Sequence, residues 1–323
     1  MRAPLLEVRD LRTHFLTRAG VAKAVDGVSF SLGRGEILGL VGESGSGKSV
    51  TGFSLLGLVD PPGRIVGGSI RFDGRELVGL PPAEMRALRG RRLAMVFQDP
   101  QATLNPVLSI GAQMALAVRA HEAVSERAAL ARAAAVLARV GIPDAARRLG
   151  AYPHEFSGGM RQRVAIAMAL LHGPDLIVAD EPTTALDVSI QAQILAEMKA
   201  LAAESGTALI WISHDLATVS ALADRVLVMY AGRIVETGPV GAVLRAPIHP
   251  YTRGLLDSLP AMAAPGQRLR QIPGTAPSLL AVPEGCAFAP RCPRADAACG
   301  APPPEARLPD RLALCHHPIE VAA

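Results

Sequence analysis

The octapeptide "GESGSGKS", Gly42 to Ser49, constrains the chain more than any other stretch. It satisfies the pattern G-x-x-x-x-G-K-S in full, with the near-continuous apolar run "EILGLVG" before it and the helix-compatible "KSVTGFSLLGLV" after it. A glycine-rich turn between a buried strand and a helix curls its backbone N–H groups around a phosphate chain. Within it, Gly42, Ser44, Gly45, Ser46, Gly47 and Val50 are candidate cradle residues. Lys48 supplies a point charge at the β- and γ-phosphates, and the Ser49 hydroxyl is a candidate magnesium ligand. The bland alternative, a flexible Gly-Ser turn, does not explain the full pattern in its strand–helix setting.

The pattern requires an α/β fold with a mostly parallel core, and the surrounding sequence supplies one. Alternation in "LLEVRDLRTHFL" and "AVDGVSFSL" predicts antiparallel strands between Leu5 and about Gly35. "DLIVADE" and "ALIWISHD" read as buried strands flanking the helix "SIQAQILAEMKALAAES". Alanine-rich segments at helical spacing, including "ERAALARAAAVLARVGI", predict a helical insertion over about 100–170. "RVLVMYAGRIVETG" predicts a hairpin that closes this domain near Gly238. Two regions are expected: a nucleotide-binding domain over 1–245 and a loop-rich C-terminal extension over 246–323, where proline density rises and periodicity fades.

Asp180 and Glu181 end an apolar strand, where ligands collect at the carboxyl edge of a parallel sheet. Asp180 suits a magnesium ligand and Glu181 a general base that polarises an attacking water. Gln98, after the short strand of "VFQDP", could reach the metal or that water, and His214 in "ISHD" could reach a γ-phosphate. Phe15 offers an aromatic face to an adenine, although a core phenylalanine on an edge strand fits the sequence equally well. A second anion-type site stands at "EFSGGMRQRVAIAMAL": Ser157, Gly158 and Gly159 precede a helix start, with its unpaired N–H groups.

The formal charge of +4 and pI near 9.1 are too mild for a nucleic-acid footprint. No apolar run reaches spanning length and charges come early at the N-terminus, so the expected location is cytoplasmic. Lysine is scarce, with only Lys23, Lys48 and Lys199, whereas all four cysteines, Cys286, Cys292, Cys299 and Cys315, fall near the C-terminus. Their spacings of six, seven and sixteen residues favour metal ligation over disulfides in a reducing compartment. A 4Fe-4S cluster takes four thiolates. Zinc is the rival, although no C-x₂-C pair occurs.

Taken in order, "GESGSGKS", "VFQDP", "FSGGMRQR", "LIVADEP", "TALD" and "ISHD" resemble the Walker A, Q-loop, signature, Walker B, D-loop and H-loop elements of ATP-binding-cassette ATPases over roughly residues 5–240. The resemblance implies an ATPase using ATP and Mg2+, in which two cassettes pack head to tail. Ser157, Gly158 and Gly159 would then cap the γ-phosphate of a partner's ATP. Met160 stands where the commonest signature has Gln, a change that leaves the Ser hydroxyl and glycines intact. "HPYTRGLLDSLP", "IPGTAPSL" and "GCAFAPRCPRA" resemble the tails of oligopeptide and dipeptide importer ATPases, which also leans toward an iron–sulfur cluster. The implied partners are a second homologous ATPase or a second copy, two membrane permeases and an extracytoplasmic solute-binding protein, with no nucleic acid. The implied place is the cytoplasmic face of the inner membrane. Nickel or another small solute, and a soluble cassette ATPase of non-transport function, remain alternatives.

Overall fold

The computed structural model describes residues 3–183, 186, 188–259 and 270–320. The chain divides into two compact units. The first comprises the described parts of Met1–Leu32, Leu38–Val78 and Ile212–Ala323, and the second Gly33–Ile37 and Gly79–Trp211.

In the first unit, β1 (Leu6–Thr17) and β2 (Gly20–Leu32) form the expected antiparallel pair, from Leu6 opposite Leu32 to Thr17 opposite Gly20. β3 (Ile37–Val41) is buried at all five positions, as its unbroken apolar run requires, and leads through the P-loop into α1 (Lys48–Leu55). β4 (Gly63–Phe72) pairs with β1, and the short β5 (Arg75–Glu76) with β4, giving a four-stranded sheet in the order β2-β1-β4-β5.

The second unit carries α2 (Pro82–Leu88), β6 (Leu93–Val96), α3 (Pro100–Thr103), α4 (Ile110–Arg119), α5 (Glu126–Arg139), α6 (Ala145–Arg148), α7 (Gly158–Leu170), β7 (Leu176–Asp180), α8 (Val188–Ser205) and β8 (Ala208–Ser213). Strand order is β8-β7-β6, and β6 runs parallel to β7 from Leu93 opposite Leu176. The helices α3 to α7 occupy the predicted insertion. Ser109 and Ser125 cap α4 and α5 by accepting the N–H groups of Ala112 and Ala128. Along α5 the buried residues are Ala129, Ala133 and Leu137, one side chain per turn, so the small alanines allow close packing.

The first unit resumes with α9 (Leu216–Leu222), β9 (Arg225–Tyr230), β10 (Arg233–Pro239), α10 (Val240–Arg245), α11 (Pro250–Asp257), β11 (Glu305–Leu308) and β12 (Arg311–Leu314). Here the strands run β11-β12-β10-β9-β3. α9 lies tight on β3: a Cβ at Gly39 would meet Val219 Cγ1 at 2.3 Å. The predicted β9–β10 hairpin forms, but β10 also pairs with β12, Glu236 facing Ala313. β12 also pairs antiparallel with β11, Leu308 opposite Arg311, and this second hairpin has no clear sign in the sequence, because its short strands lie in a proline-rich stretch with weak alternation. Tyr230, Tyr251 and Phe288 then join β9, α11 and the cysteine-bearing segment in one cluster, with ring centroids 4.5 to 5.4 Å apart.

Candidate functional site

In the first unit the P-loop is a cradle that only glycine can build. At Gly42 (φ 156°) a Cβ would stand 2.1 Å from the Met229 carbonyl, and at Gly47 (φ 105°) 2.1 Å from the Ala24 carbonyl. Gly45 also has a left-handed φ of 76°, and no atom lies within 4 Å of where its Cβ would be, so this rim is open. Ser44 and Gly45 are exposed, Ser46 is buried, and Ser49 and Val50 are half-buried at the start of α1. Lys48 is 5 % exposed, and its ammonium donates to the carbonyls of Gly42 and Glu43 at 2.9 Å each. The loop thus aims its one side-chain cation at its own concave face, which fits a polyphosphate. Phe15 is half-buried on β1, its ring against Gly63, where a Cβ would come within 2.6 Å of Cε1. His214 is exposed just after β8.

In the second unit Asp180 is 3 % exposed at the end of β7, and Glu181 follows it with φ 44°. A non-glycine residue held in the left-handed region is a local strain of the kind that gathers at functional sites. Gln98 Nε2 donates to Glu181 Oε2 at 3.2 Å, bringing together two predicted residues that are 83 positions apart. Both line a cavity of about 260 Å³ with Gly158, Arg161, Gln162 and Leu186. Asp180 and Glu181 can hold a divalent cation and accept a proton, and Gln98 can orient a water between them. Ser157 caps α7, its hydroxyl accepting the Met160 N–H at 3.3 Å, while Gly158 is exposed with open space around its α-carbon. Of the predicted D-loop, Thr184, Ala185 and Asp187 lie outside the described residues.

The four cysteines are free and lie close enough to influence one another's ionisation. Burial raises the thiols of Cys286 and Cys292 and pushes Cys315 up to about 11, and the neighbouring thiols add to each shift. Thiols that resist ionisation, as at Cys286, Cys292 and Cys315, are ones that a cationic metal centre would have to deprotonate. The segment is closely folded: Cys286 N–H donates to the Cys299 carbonyl at 2.9 Å, and a Cβ at Gly285 would meet that same oxygen at 2.3 Å. A second grouping was missed from sequence. Asp296, Cys299 and His317 place one ligand atom each within 4.8 Å of one another, and His317 Nε2 lies 2.8 Å from Asp296 Oδ1. The run "CHH" at 315–317 was its only sequence signal.

Comparison with known proteins agrees with this geometry. Residues 25–184 match the ABC transporter family model, and residues 235–299 match the oligopeptide/dipeptide transporter C-terminal region. The chain is 50% identical over 317 residues to the oligopeptide transport ATP-binding protein OppD of Salmonella typhimurium, covering 98% of this chain and 94% of that protein. It is 48% identical over 289 residues to OppD of Haemophilus influenzae, covering 90% and 89%. Among solved structures, the ATP-binding cassette MJ0796, a dimer in a post-hydrolysis state bound to ADP and Pi, superposes with a TM-score of 0.66 at 25% identity, over 73% of this chain and 98% of that one. CbiO1 from Clostridium perfringens, part of the ABC transporter complex cbiONQ, gives 0.64 at 26% identity, over 76% and 92%. With a P-loop, paired strand-end carboxylates and a tail of the oligopeptide/dipeptide type in one chain, this protein belongs to the ATPases of the ABC transporter family.

Proposed function

We propose that the chain is the ATP-hydrolysing subunit of a membrane importer for oligopeptides or dipeptides. It would work at the cytoplasmic face of the inner membrane, beneath two permease subunits fed by an extracytoplasmic solute-binding protein. The observation that carries this reading is the union, in one chain, of the nucleotide cradle with a tail matching the oligopeptide/dipeptide transporter C-terminal region. No helix among the described residues is long and apolar enough to cross a membrane, which suits a subunit that docks on separate permeases.

In this reading the amides of Gly42, Ser44, Gly45, Ser46, Gly47, Ser49 and Val50, with Lys48, hold the phosphates of ATP, and Phe15 stacks on the adenine. Ser49, Gln98 and Asp180 hold Mg2+, which supplies neutralisation of phosphate charge. Glu181 takes the proton of the attacking water, and His214 steadies the γ-phosphate end. A second homologous ATPase, or a second copy, completes the assembly. Ser157, Gly158 and Gly159 of each cassette face the other's nucleotide, at a helix start whose field favours an anion. Cys286, Cys292, Cys299 and Cys315 hold a 4Fe-4S cluster with a structural or regulatory role.

The test is reconstitution with the cognate permeases and binding protein in vesicles, following uptake of labelled peptides. Glu181→Gln should keep ATP binding and lose uptake and hydrolysis by about 10²–10⁴-fold, the usual worth of a general base. Peptide uptake with turnover unaffected by Glu181→Gln would remove Glu181 from its role. ATP-dependent uptake of nickel but not of peptides would replace the solute.

A further inference from the structure

Glu43, the second residue of the P-loop, has its polar groups engaged by residues far away in sequence. Its carboxylate is forked by Arg291, with Nη1 to Oε2 at 2.7 Å and Nη2 to Oε1 at 3.0 Å. Its backbone N–H donates to the Tyr251 hydroxyl at 2.8 Å, and its carbonyl accepts from Lys48. Arg291 is itself held on every side. Nε donates to the Pro273 carbonyl at 2.8 Å and Nη1 to the Tyr230 hydroxyl at 3.2 Å, and the guanidinium lies about 6 Å from the ring centres of Tyr230 and Phe288. Its side chain is 5 % exposed.

We infer that Arg291 is a positioning residue for the nucleotide site, through which the cysteine-bearing segment sets the affinity of the P-loop for polyphosphate. The inference rests on the nucleotide reading above. Two physical arguments carry it. First, an ion pair whose arginine is buried and whose carboxylate is half-buried adds little net stability, because desolvation offsets much of the attraction, whereas its bidentate geometry fixes its partner closely. What is fixed here is the carboxylate of a loop that must present its amides to phosphate, so that its charge stays on Arg291. Second, Glu43 places a carboxylate on a loop built for an anion. Unpaired, it would repel polyphosphate; forked by Arg291, its charge is cancelled at the source.

Arg291 also sits where the cysteines control it. It ends the short turn Ala289–Arg291 between Cys286 and Cys292. The N–H of Ala289 donates to the Cys286 carbonyl at 3.0 Å and that of Cys292 to the Ala289 carbonyl at 3.2 Å. Whatever group holds Cys286 and Cys292 therefore holds the guanidinium over Glu43.

The experiment measures the dissociation constant of a fluorescent ATP analogue with Mg2+ on the full-length protein, alongside iron and zinc content. Arg291→Met should weaken binding about tenfold or more, the scale for breaking one partner of a buried charge pair. Adding Glu43→Gln to that variant should restore most of the affinity, since the repelling carboxylate is gone. A loss that Glu43→Gln does not relieve, or no loss at all, makes Arg291 a mere anchor and overturns the inference. If Arg291→Met does not fold, Glu43→Gln alone decides: binding at least as tight as in the wild type supports charge cancellation, and tenfold weaker binding refutes it. Wild-type protein and Lys48→Ala separate the two readings. If these two bind the analogue alike, the P-loop assignment itself fails, whatever Arg291 does.

Discussion

Lys48 shows how much one side chain owes to its immediate backbone. A lysine at 5 % exposure must have its ammonium satisfied, and the carbonyls of Gly42 and Glu43 do this from the same loop that curls around the ligand. The cation is therefore in place before any phosphate arrives, and little ordering is needed on binding. Lys48→Ala should lower nucleotide affinity by roughly 10–100-fold, since a charge-assisted contact is lost in a partly dry site. Equilibrium titration checks this, and an unchanged constant would contradict it. Glu181 carries the opposite lesson. Its left-handed backbone costs free energy, and no cue in "LIVADEP" announces it.

At the scale of elements, the start of α11 is held by a buried carboxylate. Glu236 on β10, fully buried, accepts the N–H groups of Ile248 and His249 at 2.9 and 3.0 Å, and His249 Nδ1 accepts the Tyr251 N–H at 3.0 Å. Burial lowers the His249 imidazole to about 4, so the ring is neutral and acts as the acceptor that caps the helix. The sign follows: the unfolded chain binds a proton near pH 6.5 and the folded chain only near 4. Stability present above pH 6.5 is thus lost as pH falls between those values, by on the order of 3 kcal/mol for this group. Burial raises Glu236, whose contribution has the opposite slope, so the pair must be separated by mutation. His249→Asn keeps a capping oxygen but cannot titrate. Urea unfolding of this variant between pH 7 and 4 should show a weaker loss on acidification than the wild type. At α7, Ser157→Arg removes a cap worth about 1 kcal/mol and fills the exposed helix start with a long cation. Nucleotide affinity at the chain's own P-loop should persist while hydrolysis in the assembled pair of cassettes falls. Measuring both in one preparation decides it, because a fall in this chain's own affinity would contradict the head-to-tail arrangement.

At the scale of the molecule, the cysteine segment from 286 to 299 carries Phe288 as its one large apolar side chain, and ligation is a general way to add to the stability of such a stretch. Anaerobically purified protein should be brown and contain iron with acid-labile sulfide, and Cys286→Ser should lose both. Colourless protein with stoichiometric zinc would assign the site to zinc, with Asp296 and His317 beside Cys299 as ready oxygen and nitrogen donors.

The strands, the helical insertion and the phosphate cradle were legible in the sequence because each is written in contiguous residues. A five-residue apolar run, an alanine ridge at every fourth position and a glycine pattern act over a few ångströms of chain, where sterics and burial suffice to decide the outcome. Lys48, Asp180, Glu181 and Ser157 could be named as candidates on that basis, since strand ends and helix starts are places a sequence marks. Tertiary structure alone decided which distant residues meet. Gln98 meets Glu181 across 83 positions, β12 joins β10, and Arg291 reaches Glu43 across 248. Such pairings leave no periodic trace, because one contact between residues far apart in the chain can be made by many sequences and is selected only when the whole chain packs.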